Sequence, residues 1–318
     1  MVRVVIGRIV SSLLVVVSSS VLVFVIMYLL PGDPIDSMVN VAATPPEVIA
    51  SLRHQLGVDK PLPQQLADYF GKLLRGDLGT SLLTSEPVLP KIAAQLPPTL
   101  ELAAVSLAIA LIVGLALGVL SAIHRNGPID WIARFVGLLG ISMPNFWSGI
   151  LLLLVFSIRL GWFPAMGSDG WRTLALPSLT LGLIGAGFLV RIVRNSMLEV
   201  MSEPYIVMLR AKGLTERAVM YRHALRNALI PAITVIGLLA GDMLAGTVVM
   251  ETVFARQGIG RMISDAILSK DMPVVQGVIL FSAVVYVVIN LLVDLSYSWI
   301  DPRVRLRHKT ADTGGAIR

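Results

Sequence analysis

The chain has 318 residues, of which 55% are apolar and only 14% charged, where an ordinary soluble domain is roughly a quarter charged. It has no cysteine, which excludes disulfides, thiol chemistry and cysteine metal sites, and its four histidines (His54, His124, His223, His308) are scattered, none at i, i+4 from another. The formal charge of +6 acquires meaning only once it is placed along the chain.

A helix needs about 20 apolar residues to cross roughly 30 Å of hydrocarbon. In chain order such stretches fall at 9–32, 102–123, 135–158, 173–190, 227–250 and 272–293. The fifth is interrupted at Asp242, and the last runs on past Asp294 to Ile300. An all-α membrane protein with six transmembrane helices is predicted. The first stretch, at 24 residues, exceeds the roughly 15 of a secretory h-region. It is followed by Pro31-Gly32-Asp33-Pro34 rather than a small-residue cleavage site, so an uncleaved anchor is expected.

The connection 31–96 has 66 residues and reads as short helices. Thr44 and Glu47 stand at capping-box spacing and predict a helix through about Leu56. Residues 64–74 and 88–96 carry apolar positions at helical spacing too. The expected domains are therefore a first span with a small helical extracytoplasmic cap (1–96), a five-helix transmembrane domain (97–302) and a cytoplasmic tail (303–318).

Lys and Arg placement sets the orientation. With the N-terminus inside, sixteen of the 26 basic residues fall on inner segments. Both termini are then cytoplasmic, and topology accounts for the basic charge without nucleic acid.

Pro144 and Pro177 lie in or beside the third and fourth spans, with Gly182, Gly185 and Gly187 following. Two readings stand: close helix packing by small residues, or kinks that open a translocation pathway. Asp242 is the most informative position in the membrane, because an ionisable group at mid-span normally faces a cavity or a partner. It lies 11 residues after Pro231, about 16 Å along a helix. With Met243 and Pro144 it forms the candidate pathway set; contact with a neighbouring subunit is the alternative for Asp242. Asp294, nearer the inner interface, reads as structural.

The inner connection 195–226 holds Glu203-Pro204-Tyr205 and Arg210-Ala211-Lys212-Gly213-Leu214-Thr215-Glu216-Arg217. Pro204 suits a first helical turn, Gly213 the positive φ just past a helix end, and Thr215 the cap of a second helix. A short helix, a tight turn and a second helix are predicted on the cytoplasmic face. The element reads either as an interfacial basic helix on anionic lipid or as a projection that a soluble motor can grip.

These residues, with Arg222-His223-Ala224-Leu225-Arg226-Asn227-Ala228-Leu229-Ile230-Pro231, resemble the coupling-helix signature of permeases in the dipeptide/oligopeptide family of bacterial ATP-binding-cassette importers. Further matches run in order along the chain: Pro31-Gly32-Asp33-Pro34, Gly76-Asp77-Leu78-Gly79, Ser142-x-Pro144-x-Phe146-Trp147, Glu251-Thr252-Val253-Phe254 and Asp301-Pro302-Arg303-Val304-Arg305. The general pattern has Glu-Ala-Ala where this chain has Val207, Met208 and Leu209, so docking is expected to rest on shape and apolar contact. Arg256-Gln257-Gly258 stands where many relatives have a proline before the glycine.

The resemblance implies a type I importer permease in the bacterial cytoplasmic membrane. It implies as partners a second homologous permease, two ATP-binding-cassette ATPase domains, an extracytoplasmic substrate-binding protein and membrane lipid. No Gly-x-x-x-x-Gly-Lys-Ser/Thr loop occurs. This chain is thus expected to be no enzyme and to hold no cofactor or metal, with ATP and Mg on partner subunits. The implied coupling residues are Glu203, Tyr205, Met208, Leu209, Ala211, Lys212 and Gly213, in a coupling helix at about 204–213. Peptides are the expected cargo, with glutathione, a nickel complex or haem as alternatives. A proton-driven secondary transporter is disfavoured by the six spans and by the lack of an inverted repeat. An intramembrane hydrolase is disfavoured because no histidine falls in a span.

Overall fold

The computed structural model describes residues 2–29, 35, 38, 39 and 43–300. The 31–34 and 301–305 motifs, the side chain of Asp294 and the 303–318 tail lie outside the described residues. Within those described there is no β-strand, only an isolated bridge between Thr80 and Pro87.

The helices in chain order are α1 (Val2–Leu29), α2 (Pro46–Leu56), α3 (Leu62–Leu73), α4 (Val88–Ile123), α5 (Pro128–Ser142) and α6 (Asn145–Leu152). After these come α7 (Gly170–Met201), α8 (Pro204–Ala211), α9 (Glu216–Ala218), α10 (Leu225–Val253), α11 (Ile259–Leu268) and α12 (Met272–Ile300). π-helical turns at Leu153–Arg159 extend α6, and another set at Val219–Ala224 joins α9 to α10.

Five of the six expected spans are continuous helices; the third is the pair α5 and α6, bent by 115°. Pro144 is the reason for the break. It disfavours helical geometry at the preceding residue, and Met143 is extended (φ −96°, ψ 129°). The helix breaks at Pro144, while Pro177 stays inside an unbroken α7. The glycines of α7 pack closely. A Cβ on Gly187 would stand 2.8 Å from the Val136 carbonyl and 3.0 Å from the Gly140 Cα, so α5 and α7 touch through their backbones.

Two expectations are corrected. The cap helix at 46–56 does not start on a Thr44 capping box: its N-cap is Pro45, with Pro46 in the first turn. Two successive proline rings preset the backbone there. The helix expected at 88–96 is no separate element but the first part of α4, which runs on through Pro97 and Pro98. A proline ring's fixed φ is itself helical, so α4 continues at the cost of backbone hydrogen bonds.

The chain divides into two compact units. The first holds α1 to α3, α4 up to Pro98, α11, and α12 up to Val288. Its apolar core gathers Val88 and Ile92 of α4 with Val274, Val275 and Val278 of α12. Asp271 fastens the loop before α4 to the start of α12: Ser81 Oγ donates to its Oδ2 and the Leu82 N–H to its Oδ1, the latter at 3.1 Å. In the cap, Lys60 donates to Asp68 at 2.7 Å, and that ammonium holds the Asp68 carboxyl below the usual carboxylate range. A cavity of about 820 Å³ opens among α1 (Phe24, Tyr28), α3 (Tyr69, Lys72) and α12 (Met272).

The second unit holds α4 from Thr99 through α10. α7 is its central helix, lined by buried Leu181, Leu189, Val193 and Met197. Outward, α5 and α6 expose Trp131, Phe135, Leu138, Phe146 and Trp147. Apolar outside with buried Ser106, Thr180 and Thr247 inside is the arrangement of a bilayer protein, whose solvent for the outer face is lipid.

Candidate functional site

α8 is an eight-residue helix hung on the end of α7 by the turn at Ser202 and Glu203. Pro204 occupies its first turn and Glu203 the N-cap position. Past its end Gly213 adopts φ +80°, a left-handed conformation that costs glycine nothing. There its N–H donates to the Arg210 carbonyl at 2.9 Å, and the Leu214 N–H to the Leu209 carbonyl at 3.3 Å. Thr215 then caps α9, its hydroxyl accepting from the Ala218 N–H at 3.4 Å. Helix, turn and second helix stand as the sequence predicts.

Three attachments fix α8 to α9, the π-helical turns and the start of α10. Ile206 is fully buried beside Val219 and Ala224 of the π-helical turns. Asn227 Nδ2 donates to the Tyr205 hydroxyl at 2.8 Å. Arg210 grips Glu216 through two bonds, at 2.6 and 3.2 Å. The residues that the resemblance implies for coupling are thereby divided between two faces. Tyr205 and Leu209 turn inward onto the core of this unit. Glu203, Met208, Ala211, Lys212 and Gly213 are exposed, and Met208 shares its surface with Val207, the two being 51% and 60% exposed. Val207 belongs with the exposed set although it is not among the coupling residues that the resemblance implies; its i+4 spacing to Ala211 is the sequence signal that points to it.

The pathway set is divided as well. Pro144 is exposed at the α5–α6 bend. Asp242 is exposed on α10, on one stripe with Thr234, Leu238, Ala245, Val249 and Thr252. Met243 points the other way and is buried, its Cε 2.6 Å from where a Cβ on Gly185 would be. It packs α10 against α7.

Two buried ionic nodes in this unit are not legible in the sequence. At the α8 end of α7, Asp130 in the first turn of α5 is 0% exposed and gathers five donors. Arg194 Nε donates to its Oδ1 at 2.7 Å and Nη2 to its Oδ2 at 3.1 Å. Ser121 Oγ donates at 2.6 Å, the Asn126 N–H at 2.9 Å, and Arg134 completes the set. Asn126 itself has φ +65°, which asparagine tolerates better than most residues. At the other end of α7, Arg256 is 2% exposed and donates to Glu101 at 2.7 Å, to Thr173 at 3.3 Å and to the Ser168 carbonyl at 3.5 Å. Close by in sequence, Thr99 donates to the fully buried Glu251 at 2.6 Å. No group of three or more metal-ligating side chains occurs among the described residues.

Residues 114–306 match the family model described as "Binding-protein-dependent transport system inner membrane component", and residues 1–103 match its N-terminal companion. The glutathione transport system permease protein GsiC of Pectobacterium atrosepticum is 43% identical over 287 residues, 90% of this chain and 94% of that protein. A putative peptide transport system permease of Brucella abortus is 41% identical over 313 residues, 96% of this chain and 99% of that protein. In fold, a solved inward-facing MetNI methionine ABC transporter chain covers 69% of this chain and 100% of its own length, at a TM-score of 0.57 and 21% identity. An amino acid ABC transporter structure aligns over 66% of this chain with a TM-score of 0.53.

Proposed function

The chain belongs to the family of binding-protein-dependent transport system inner membrane components, and from that premise we propose that it forms half of the translocation pathway of an ATP-driven peptide importer. A second homologous permease supplies the other half. Two ATP-binding-cassette ATPase domains bind and hydrolyse ATP with Mg, and an extracytoplasmic binding protein delivers the cargo. The excess of basic residues on the inner segments supports a cytoplasmic position for both termini and α8. The working division is the first span with its cap (1–96), the transmembrane domain (97–302) and the tail (303–318).

The observation that carries this reading is the exposed pair Val207 and Met208 on a helix anchored to the bundle by buried Ile206 and by the Asn227–Tyr205 hydrogen bond. A helix meant only to rest on lipid has no need of so rigid a mounting. Docked in an ATPase groove, α8 passes ATP-driven closure of the motor to α7 and α10. The bundle then alternates between inward- and outward-open states, biased by the motor's different affinities for ATP in each. Along the pathway Asp242 meets cargo and attracts the ammonium of a peptide amino terminus. The cap and its cavity receive the binding protein. Glutathione is the specific alternative cargo, favoured by the full-length likeness to GsiC permeases.

Uptake of labelled peptides by proteoliposomes holding the complete complex tests this. ATP-dependent uptake is expected, and Gly213→Val, strained at φ +80°, is expected to abolish it without preventing insertion. Normal uptake by that inserted variant would remove α8 from coupling.

A further inference from the structure

We infer that Asp130 is a positioning residue that makes α4 and α5 follow α7 when α8 is displaced; this rests on α8 being the coupling helix. Arg194 lies seven residues before the end of α7, about 10 Å along the helix, so the Asp130 node sits within two turns of the α8 attachment. The node ties together the end of α4 (Ser121), the turn after it (Asn126), the start of α5 (Asp130, Arg134) and α7 (Arg194).

The packing of these helices is what makes such a pin necessary. α5 meets α7 at Gly137, Gly140 and Gly187, where backbone lies against backbone. A small-residue seam lets the two backbones approach closely, but its contacts are non-directional and individually small. Directional bonds to one carboxylate fix the register that the seam leaves free. Arg194 approaches Asp130 with two parallel N–H groups, an arrangement that sets angle as well as distance. A push on α8 thus reaches α7 through the turn at Ser202, and reaches α4 and α5 through Asp130. Without the node α7 moves while its neighbours lag, and ATP is spent without transport.

The test uses the complete complex in proteoliposomes, measuring assembly, basal ATPase and peptide carried per ATP. Asp130→Asn and Arg194→Met are expected to assemble and hydrolyse ATP close to wild type, while transport per ATP falls about tenfold, a typical size for a lost coupling. Arg194→Lys, which keeps the charge and one donor, is expected to recover part of that ratio. Transport per ATP at the wild-type level in Asp130→Asn overturns the inference. So does a parallel fall of assembly, ATPase and uptake that Arg194→Lys does not lessen, because the node is then merely structural. Gly213→Val in the same preparations separates the two proposals: wild-type coupling there removes the docking role of α8 instead.

Discussion

The two ends of α7 are both closed by buried charge, but the buried partner has opposite sign. At the α8 end the carboxylate of Asp130 is sealed in between two cations, of which Arg134 is 43% exposed and Arg194 16%. At the other end the guanidinium of Arg256 is sealed in, while its carboxylate partner Glu101 is 55% exposed. The first buried ion has five donors and survives the loss of one; the second has a single carboxylate. Removing one member of a buried pair is destabilising chiefly because it strands the other. The cost of a substitution should therefore track what is left behind more than the number of bonds removed.

Glu101→Ala is the largest expected effect. It strands Arg256 with only Thr173 and the Ser168 carbonyl, at 3.3 and 3.5 Å, and should cost about 3 kcal/mol, the low end for such a loss because Glu101 is half in water. Arg256→Met breaks the same pair but removes the buried ion and keeps its bulk, so it should be close to neutral. Thermal unfolding of the assembled complex in detergent checks both; a larger fall for Arg256→Met would break the comparison. Next comes Arg194→Met, at about 2 kcal/mol for lost bonds to a charged acceptor, since Arg134 still neutralises Asp130. Ser121→Ala should cost about 1 kcal/mol, one hydrogen bond among five. Smallest is Arg210→Ala. The Arg210–Glu216 pair is on the surface and is worth about 0.5 kcal/mol or less, so melting should not move measurably.

The features legible in the sequence are those that local interactions set. Six apolar runs are legible because bilayer thickness sets their length; five stand as continuous helices and the third as a bent pair. The α8 turn is legible because Pro204, Gly213 and Thr215 each state a backbone requirement in place. The break of the third span is only half legible: hydropathy runs without interruption through 135–158, and Pro144 alone marks it. The capping-box spacing at Thr44 misplaces the helix start by one residue, because the N-cap position falls on Pro45. The ionic nodes are invisible because their partners are 64 residues apart for Asp130 and Arg194, and 155 for Glu101 and Arg256. Nothing in a linear pattern pairs residues at such range. The distinction between exposed Asp242 and core-facing Met243 is blurred for a simpler cause: a pathway residue is first sought at a stretch of sequence, yet adjacent helical positions point about 100° apart.

Photo-cross-linking from α8 in the complete complex tests the docking of this helix most directly. A photoreactive residue at Val207, Met208 or Ala211 should form adducts with an ATP-binding subunit, and one at the buried Ile206 should not. The same adducts are expected to change in yield when ATP is added, because the proposed docking follows the ATP-driven closure of the motor. Adducts to lipid alone at all three exposed positions, with and without ATP, would contradict the docking role and leave α8 as an interfacial helix.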